Sequence, residues 1–304
     1  MLTVEEAFDI VLIEEGQYLL GEEFITDTLG LTWDHIAKLF YKAAKEYAQR
    51  KPVVETAVIH GGNNGVFYMP EGTLAVRAIR YDILDSYPKT MFSDFGQVNY
   101  EYDVHSRKLR TFPPMSSLRV SYSREYRLSD SATVSMSEYM VDYEDEYTTR
   151  LNTKPKKGTL SISLGGKSMK ESGIERKLMK NSMGQDIPHR LVKLSGDLGN
   201  GYYNPETREI EIHWKKGLEG DLVISCTPYY KVISELSVQT YTFMGLFKAY
   251  VLEAIASLKE QATQKGLHNI DLNSDDLKSR ALFLRQEARK NLRNTIDFSA
   301  MAPI

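Results

Sequence analysis

Hydrophobic positions change period twice along this chain and divide it into three stretches. In the first, Val4, Phe8, Val11 and Leu12 recur at helical spacing behind Thr3-x-x-Glu6, a capping box, and the signal stops near Gly16. A second helix is expected from Thr32, its cap, through Ile36, Leu39, Phe40, Ala43, Ala44 and Tyr47 to Pro52, which ends it. The period then drops to two: residues 53–59, 66–69, 74–81, 97–103, 117–128, 159–164, 209–214 and 221–226 read as strands. Gly61-Gly62-Asn63-Asn64-Gly65 and Asn204-Pro205-Glu206-Thr207 supply turn chemistry between such runs, so antiparallel hairpins follow. The third stretch returns to helix. Phe243, Leu246, Phe247, Tyr250, Val251, Ala254, Ile255 and Leu258 form one stripe that ends before Gly266. Ser274 is placed to cap a last helix with Leu277, Ala281, Leu284, Ala288 and Leu292 on one side, which predicts an antiparallel helical hairpin.

The fold class this implies is α+β. Residues 1–52 and 236–304 are expected to pack together as a helical body, and residues 53–235 to form a projecting antiparallel β-rich domain. Within it, residues 138–146 are acidic and aromatic while Lys154-Pro155-Lys156-Lys157 and residues 167–180 are basic, with glycines at 165, 166 and 173. That alternation predicts an exposed arm near residues 138–180.

Composition narrows the function classes. With 304 residues, 42% of them apolar, the chain can bury a substantial core. The net charge of -3 gives no overall basic field for nucleic acid, so any such contact must be local. One cysteine, Cys226, excludes an internal disulfide and a Cys-based metal site. The acidic start and the lack of an apolar run near the roughly 20 residues needed to span a bilayer lead to the expectation of a protein made and kept in the cytoplasm, without a membrane partner. Nineteen tyrosines suit either strands or half-wet subunit interfaces.

Catalytic patterns are broken where they begin. Gly166-Lys167-Ser168 follows a strand as a phosphate loop would, but Ser161 stands where that loop needs its first glycine. Asp271-x-Asn273-x-Asp275 starts like a calcium loop, then has Asp276 and Leu282 in place of the glycine and glutamate. The six histidines show no zinc spacing, and no Gly-x-Ser-x-Gly elbow exists. The expectation is therefore no catalytic, metal or cofactor residue. The carboxylates around Asp142 and Glu144 could hold a divalent cation, but a solvated turn, or a patch that meets the basic run of a neighbouring subunit, reads better.

Four places carry a likeness to a known family. They are Leu31-Thr32-Trp33-Asp34-His35-Ile36 leading into Tyr41-Lys42-Ala43-Ala44-Lys45-Glu46-Tyr47; Gly65-Val66-Phe67-Tyr68-Met69-Pro70 with Ala75-Val76-Arg77-Ala78-Ile79-Arg80; Gly220-Asp221-Leu222-Val223-Ile224; and Phe247-Lys248-Ala249-Tyr250-Val251-Leu252-Glu253-Ala254 with Ile270-Asp271-Leu272-Asn273, Leu277, Ala281, Glu287-Ala288 and Leu292. In these, and in the order of its elements, the chain resembles the neck-protein, or head-tail connector, family of T-even-like contractile-tailed phages. About half the chain is covered, by patterns more than signatures, and residues 138–180 have no counterpart.

The resemblance implies a non-enzymatic virion protein: a homo-oligomeric ring, a dodecamer in the family, at the junction of head and tail. Its partners would be the portal protein and a second neck or tail-terminator protein, with DNA passing through the lumen without specific binding. Baseplate or tail-completion proteins use the same kinds of contact, and a hydrolase built on the carboxylates near Asp142 is a third class. Phe8, Val11 and Leu12, together with Asp142, Glu144, Lys156 and Lys157, are the expected contacts to a neighbouring subunit or the next ring. The apolar Ile296, Phe298, Met301 and Ile304 are the expected portal anchor, since idle they would leave apolar area in water.

Overall fold

The computed structural model describes all residues except 20, 23, 61–63, 82–98, 113–116, 131, 143, 181–185, 265–271 and 295–304, and the backbone alone at 80–81, 177–180, 186–189 and 293–294. Along the chain come helix α1 (Val4–Glu14), a π-turn (Phe24–Thr28) and helix α2 (Trp33–Arg50). Six strands follow: β1 (Val53–His60), β2 (Val66–Tyr68), β3 (Thr73–Tyr81), β4 (Asn99–Asp103), β5 (Lys108–Phe112) and β6 (Ser117–Arg124). Ten more are β7 (Leu128–Ser129), β8 (Val134–Met140), β9 (Glu146–Arg150), β10 (Ser161–Leu164), β11 (Lys167–Lys180), β12 (Asp186–Gly196), β13 (Gly199–Tyr203), β14 (Glu209–Trp214), β15 (Gly220–Cys226) and β16 (Val232–Ile233). Helices α3 (Tyr241–Gln264) and α4 (Ser274–Asn294) end the series. The fold is α+β, as the change of period predicts.

The chain divides into two units, and each is built from two separate stretches of sequence: Met1–Thr28 with Leu128–Gln239, and Leu29–Arg127 with Thr240–Ile304. The first unit is an eight-stranded antiparallel sheet in the order β8-β15-β10-β11-β12-β13-β14-β9. It curls until its two edge strands are within side-chain reach, with the Tyr147 hydroxyl of β9 donating to the Glu138 carboxylate of β8. Inside lie Leu160, Ile162, Leu164, Leu194, Ile210, Ile212, Trp214, Leu222 and Ile224, every second residue of their strands turned to the core. The tight part of the curl needs glycine. A Cβ on Gly196 would stand 2.2 Å from the Ser168 carbonyl oxygen, and one on Gly201 would stand 2.3 Å from that of Glu211, so the backbones close to distances a side chain forbids.

In the second unit, sheets β1-β6-β3 and β2-β5-β4 share a core of Phe67, Met69, Ile79, Leu109, Leu118, Val120 and Tyr122. Tyr100 and Tyr102 of β4 donate their hydroxyls to the Val76 and Thr73 carbonyls of β3. Helix α2 starts as predicted, Thr32 accepting from the His35 N–H, and buries Ile36, Leu39, Phe40, Ala43, Ala44 and Tyr47. Phe40 meets Phe243 and Phe247 of α3 edge-on at 5.3 and 5.5 Å between ring centroids, a favoured aromatic geometry. Helices α3 and α4 are antiparallel: Glu260 pairs with Lys278 and Glu253 with Arg285.

Glu55 of β1 ties this unit's sheet together, accepting from Arg124 at 2.6 Å, Arg127 at 2.9 Å and the Tyr122 hydroxyl at 3.1 Å. The Arg124 hydrogen bond leads in holding its carboxyl below the ordinary value of 4.5, against the cost of burial. A lowered carboxyl pKa adds stability that is complete above the unfolded value and is lost as pH falls through the folded one. Glu55→Gln is therefore expected to cost about 1 kcal/mol at neutral pH, and the gap from wild type to close in acid below 4.5. Urea midpoints across that range measure it; a gap constant with pH would show that the ion pairs contribute nothing.

Several expectations need correction. The division into 1–52 with 236–304 and a separate 53–235 does not hold. Helix α2 does pack with α3, but α1 belongs to the unit of the curled sheet, and β1 to β6 belong to the unit of α2, α3 and α4. Besides its buried apolar face, α1 is tied there by Glu5, buried and accepting from the Lys154 N–H and the Thr153 hydroxyl, both at 3.1 Å. The run at 117–128 is two strands, β6 and β7, paired in different sheets. The cap of α4 is Asn273, whose side-chain oxygen accepts from the Asp275 N–H at 3.0 Å, one residue earlier than expected.

Candidate functional site

The expected arm at residues 138–180 is also displaced. Its first part is ordinary sheet: Val134–Met140 and Glu146–Arg150 are the two edge strands, and Ser161–Leu164 lies inside the sheet. The projecting element is the hairpin of β11 and β12. β10 pairs with β11 only over Lys167–Lys170, and β13 pairs with β12 only over Val192–Ser195. Beyond a bulge between Glu171 and Gly173, the ladder runs on from Ile174↔Val192 to Lys180↔Asp186, with no third strand among those described. The basic run and Gly173, which drew attention to this segment, therefore mark the base of a two-stranded ribbon. Residues 167–193 carry seven basic side chains against three acidic ones, in a chain whose net charge is -3.

Such a ribbon is marginal alone, since two strands in water bury too little to offset their ordering, and beyond its base neither edge is paired with a strand among the described residues. At its base it is anchored. The Glu171 carboxylate accepts from the Gly158 N–H at 2.8 Å and from the Leu160 N–H at 3.2 Å, fixing the loop from β9 to β10 against β11. Past that anchor Ile174 is half exposed, at 48%. The arrangement is suited to adding backbone hydrogen bonds and side-chain contacts from another chain.

The expected contact residues are dispersed. Phe8 and Val11 are fully buried within the chain, so they offer no surface to a neighbour; Leu12 is half-buried and the exposed apolar residue of α1 is Ile13. The helix turns the other way from the expectation because Val4, Phe8 and Val11 belong to this chain's own core. Asp142 is exposed and Glu144 half-buried in the turn joining β8 to β9, where the Asp142 carbonyl accepts from the Gly217 N–H. Lys156 and Lys157 are exposed in the loop from β9 to β10. The expected portal anchor, Ile296, Phe298, Met301 and Ile304, lies outside the described residues.

One feature that the pattern of apolar residues could not show is a charged network beneath α1. Arg208, 2% exposed, sits in the turn from β13 to β14 and reaches Asp9 at 2.7 Å and Glu22 at 3.4 Å, while Arg150 reaches Glu22 at 2.7 Å. Burial pushes the nearby Glu5 carboxyl upward, against the hydrogen bonds from Lys154 and Thr153. The turn itself was legible, and Asn204 accepts from the Glu206 N–H as an Asx-turn.

Chemistry looked for in the sequence takes structural form here. Gly165 and Gly166, both at positive φ, make the two-residue turn of the β10–β11 hairpin, and a strand follows where a phosphate loop needs a helix. Cys226 is buried in β15 and desolvation pushes its thiol to about 11, so it is held as the neutral thiol. Among the described residues no three His, Cys, Asp or Glu side chains are placed to hold a metal ion, and no helix is long and apolar enough to cross a membrane. Comparisons with protein-family models, curated proteins and solved structures find no match to this chain.

Proposed function

We propose that this protein is a structural, non-enzymatic component of a phage neck, whose copies close into a ring that joins the portal to the tail and lets DNA pass. The observation that carries the reading is the ribbon of β11 and β12, a long hairpin with no third strand beyond its base among the described residues. A second copy of the chain is the partner this reading assigns to it. Where the contact joins two different surfaces of identical copies, repeating it closes a ring if its rotation divides a full turn and otherwise grows a filament. The resemblance of α2, β2, β3, β15 and the α3–α4 hairpin to the neck-protein family supports the head-tail junction as the place of that ring, and the portal and a tail-terminating protein as its neighbours.

The test is the mass of the purified protein in solution, alone and mixed with a portal. The expected species is a closed multiple of the 34.7 kDa chain, formed alone or on the portal. A chain that stays monomeric in both conditions, and in assembled particles, would sink the proposal.

A further inference from the structure

In the second unit, helices α2, α3 and α4 line a cleft of about 420 Å³ whose chemistry is one-sided. Lys42, Lys45 and Arg50 of α2 and Arg289 of α4 border it, against the single carboxylate of Glu46. That carboxylate is already committed, accepting from the Tyr250 hydroxyl at 2.5 Å and from Arg289 Nε at 2.9 Å. Burial opposes its charge, but these two partners outweigh burial and hold it below its usual range, so it stays ionised and oriented. The Lys42 ammonium lies 4.2 Å from the centre of the Tyr250 ring, and neither it nor Arg50 has a carboxylate partner among the described residues. Lys45 is 68% exposed and meets Glu125 only at 4.0 Å.

Three further points favour one kind of ligand. Residues 42, 45, 49 and 50 lie on one side of α2 and extend over roughly 12 Å at 1.5 Å per residue, a length that matches about three phosphates of one nucleic-acid strand at 3.4 Å each. A second cleft of about 430 Å³ shares Gln49 and Arg50 with the first and continues to Arg77 of β3 and Ser123 of β6, so the basic surface is a track. The apolar side chains lining the first cleft, Tyr250 and Leu292, are themselves buried, which leaves no open apolar socket for the anchor residue a protein partner would need. A ligand held there by charge and hydrogen bonds alone fits a phosphodiester backbone.

We infer that this cleft binds the phosphates of a nucleic-acid duplex without regard to sequence, a contact that goes beyond a ring through which DNA merely passes. The experiment is fluorescence anisotropy of a short labelled duplex with the full chain over a series of salt concentrations. Binding is expected at low salt, with log K falling by about 0.9 for each phosphate neutralised, hence by about 3 per decade of salt for three contacts. Lys42→Glu with Arg50→Glu is expected to weaken it at least tenfold, and Lys42→Gln with Arg50→Gln to fall between, circular dichroism remaining unchanged. Lys215→Glu with Lys216→Glu, exposed in the other unit, is expected to bind as wild type. No binding by wild type, equal loss in the Lys215 and Lys216 variant, binding of polyglutamate as tight as the duplex, or binding of inorganic phosphate without the duplex would each overturn the inference. Mass measured on the same samples separates this from the assembly reading: a ring that ignores DNA refutes only the cleft, and a monomer that binds it refutes only the ring.

Discussion

Replacing Arg176 through Arg190 with Asn-Gly, which keeps the buried Leu191, is expected to abolish assembly while leaving the fold intact. Glu175 and Leu191 are paired in the ladder, so a two-residue turn joins them without altering the pairing of β11 with β10 or of β12 with β13. The Glu171 anchor on Gly158 and Leu160 is kept, as is every residue of the curled sheet's core. If the ribbon is the arm that a neighbouring copy completes, the shortened chain has the circular dichroism and thermal midpoint of wild type but the mass of a monomer, alone and with portal. A shortened chain that still forms the wild-type species would show that subunits join through another surface. A loss of thermal stability would show that the ribbon is braced by its own chain.

Arg208→Ala is expected to cost about 3 kcal/mol of stability, because it takes the buried cation away from the carboxylates that face it. Arg208 joins the turn between β13 and β14 to Asp9 of α1 and to Glu22, with Arg150 sharing the second carboxylate. The side chain also holds its own backbone in place. Arg208 has φ 63, a left-handed conformation that costs an L-residue about 1 to 2 kcal/mol and persists where the surroundings impose it. Arg208→Gly separates the two effects: it loses the same ion pairs but relieves the backbone, and is expected to be more stable than the alanine variant by about 1 kcal/mol. Urea unfolding of the three proteins measures both differences. Equal stability of wild type and alanine variant would mean that the Arg208 ion pairs contribute nothing to holding α1.

These expectations depend differently on what the sequence made legible. The stripe from Ile36 to Tyr47, its Thr32 cap, and the Phe243 and Leu277 stripes of the last two helices were readable because helical burial is a local property, repeated every three or four residues. Strands with strict alternation, such as β1 and β14, were readable for the same reason. β13, Gly199–Tyr203, was not, because its glycines carry no hydrophobic signal. Gly199 and Gly201 are required by the approach of the His213 and Glu211 backbones of β14, and nothing in the local sequence encodes that approach.

The candidate surface divides in the same way. The run from Lys167 to Lys180 stood out by charge and glycine content, but composition could not say whether it was loop or ladder, nor that the pairing of β11 with β10 ends at Lys170 and that of β12 with β13 at Val192. Whether a hydrophobic face of a helix is core or interface is equally undecided by period: Phe8 and Val11 repeat like any docking stripe, and only the packing of the folded chain buries them. By itself the sequence determined the α+β class, the four helices and most turns, all of which rest on interactions within a few residues. The tertiary structure alone decided which helix joins which sheet, since that choice is made by contacts such as Arg208 with Asp9 and Glu5 with Thr153, between residues far apart in the chain whose charges have no periodicity to announce them.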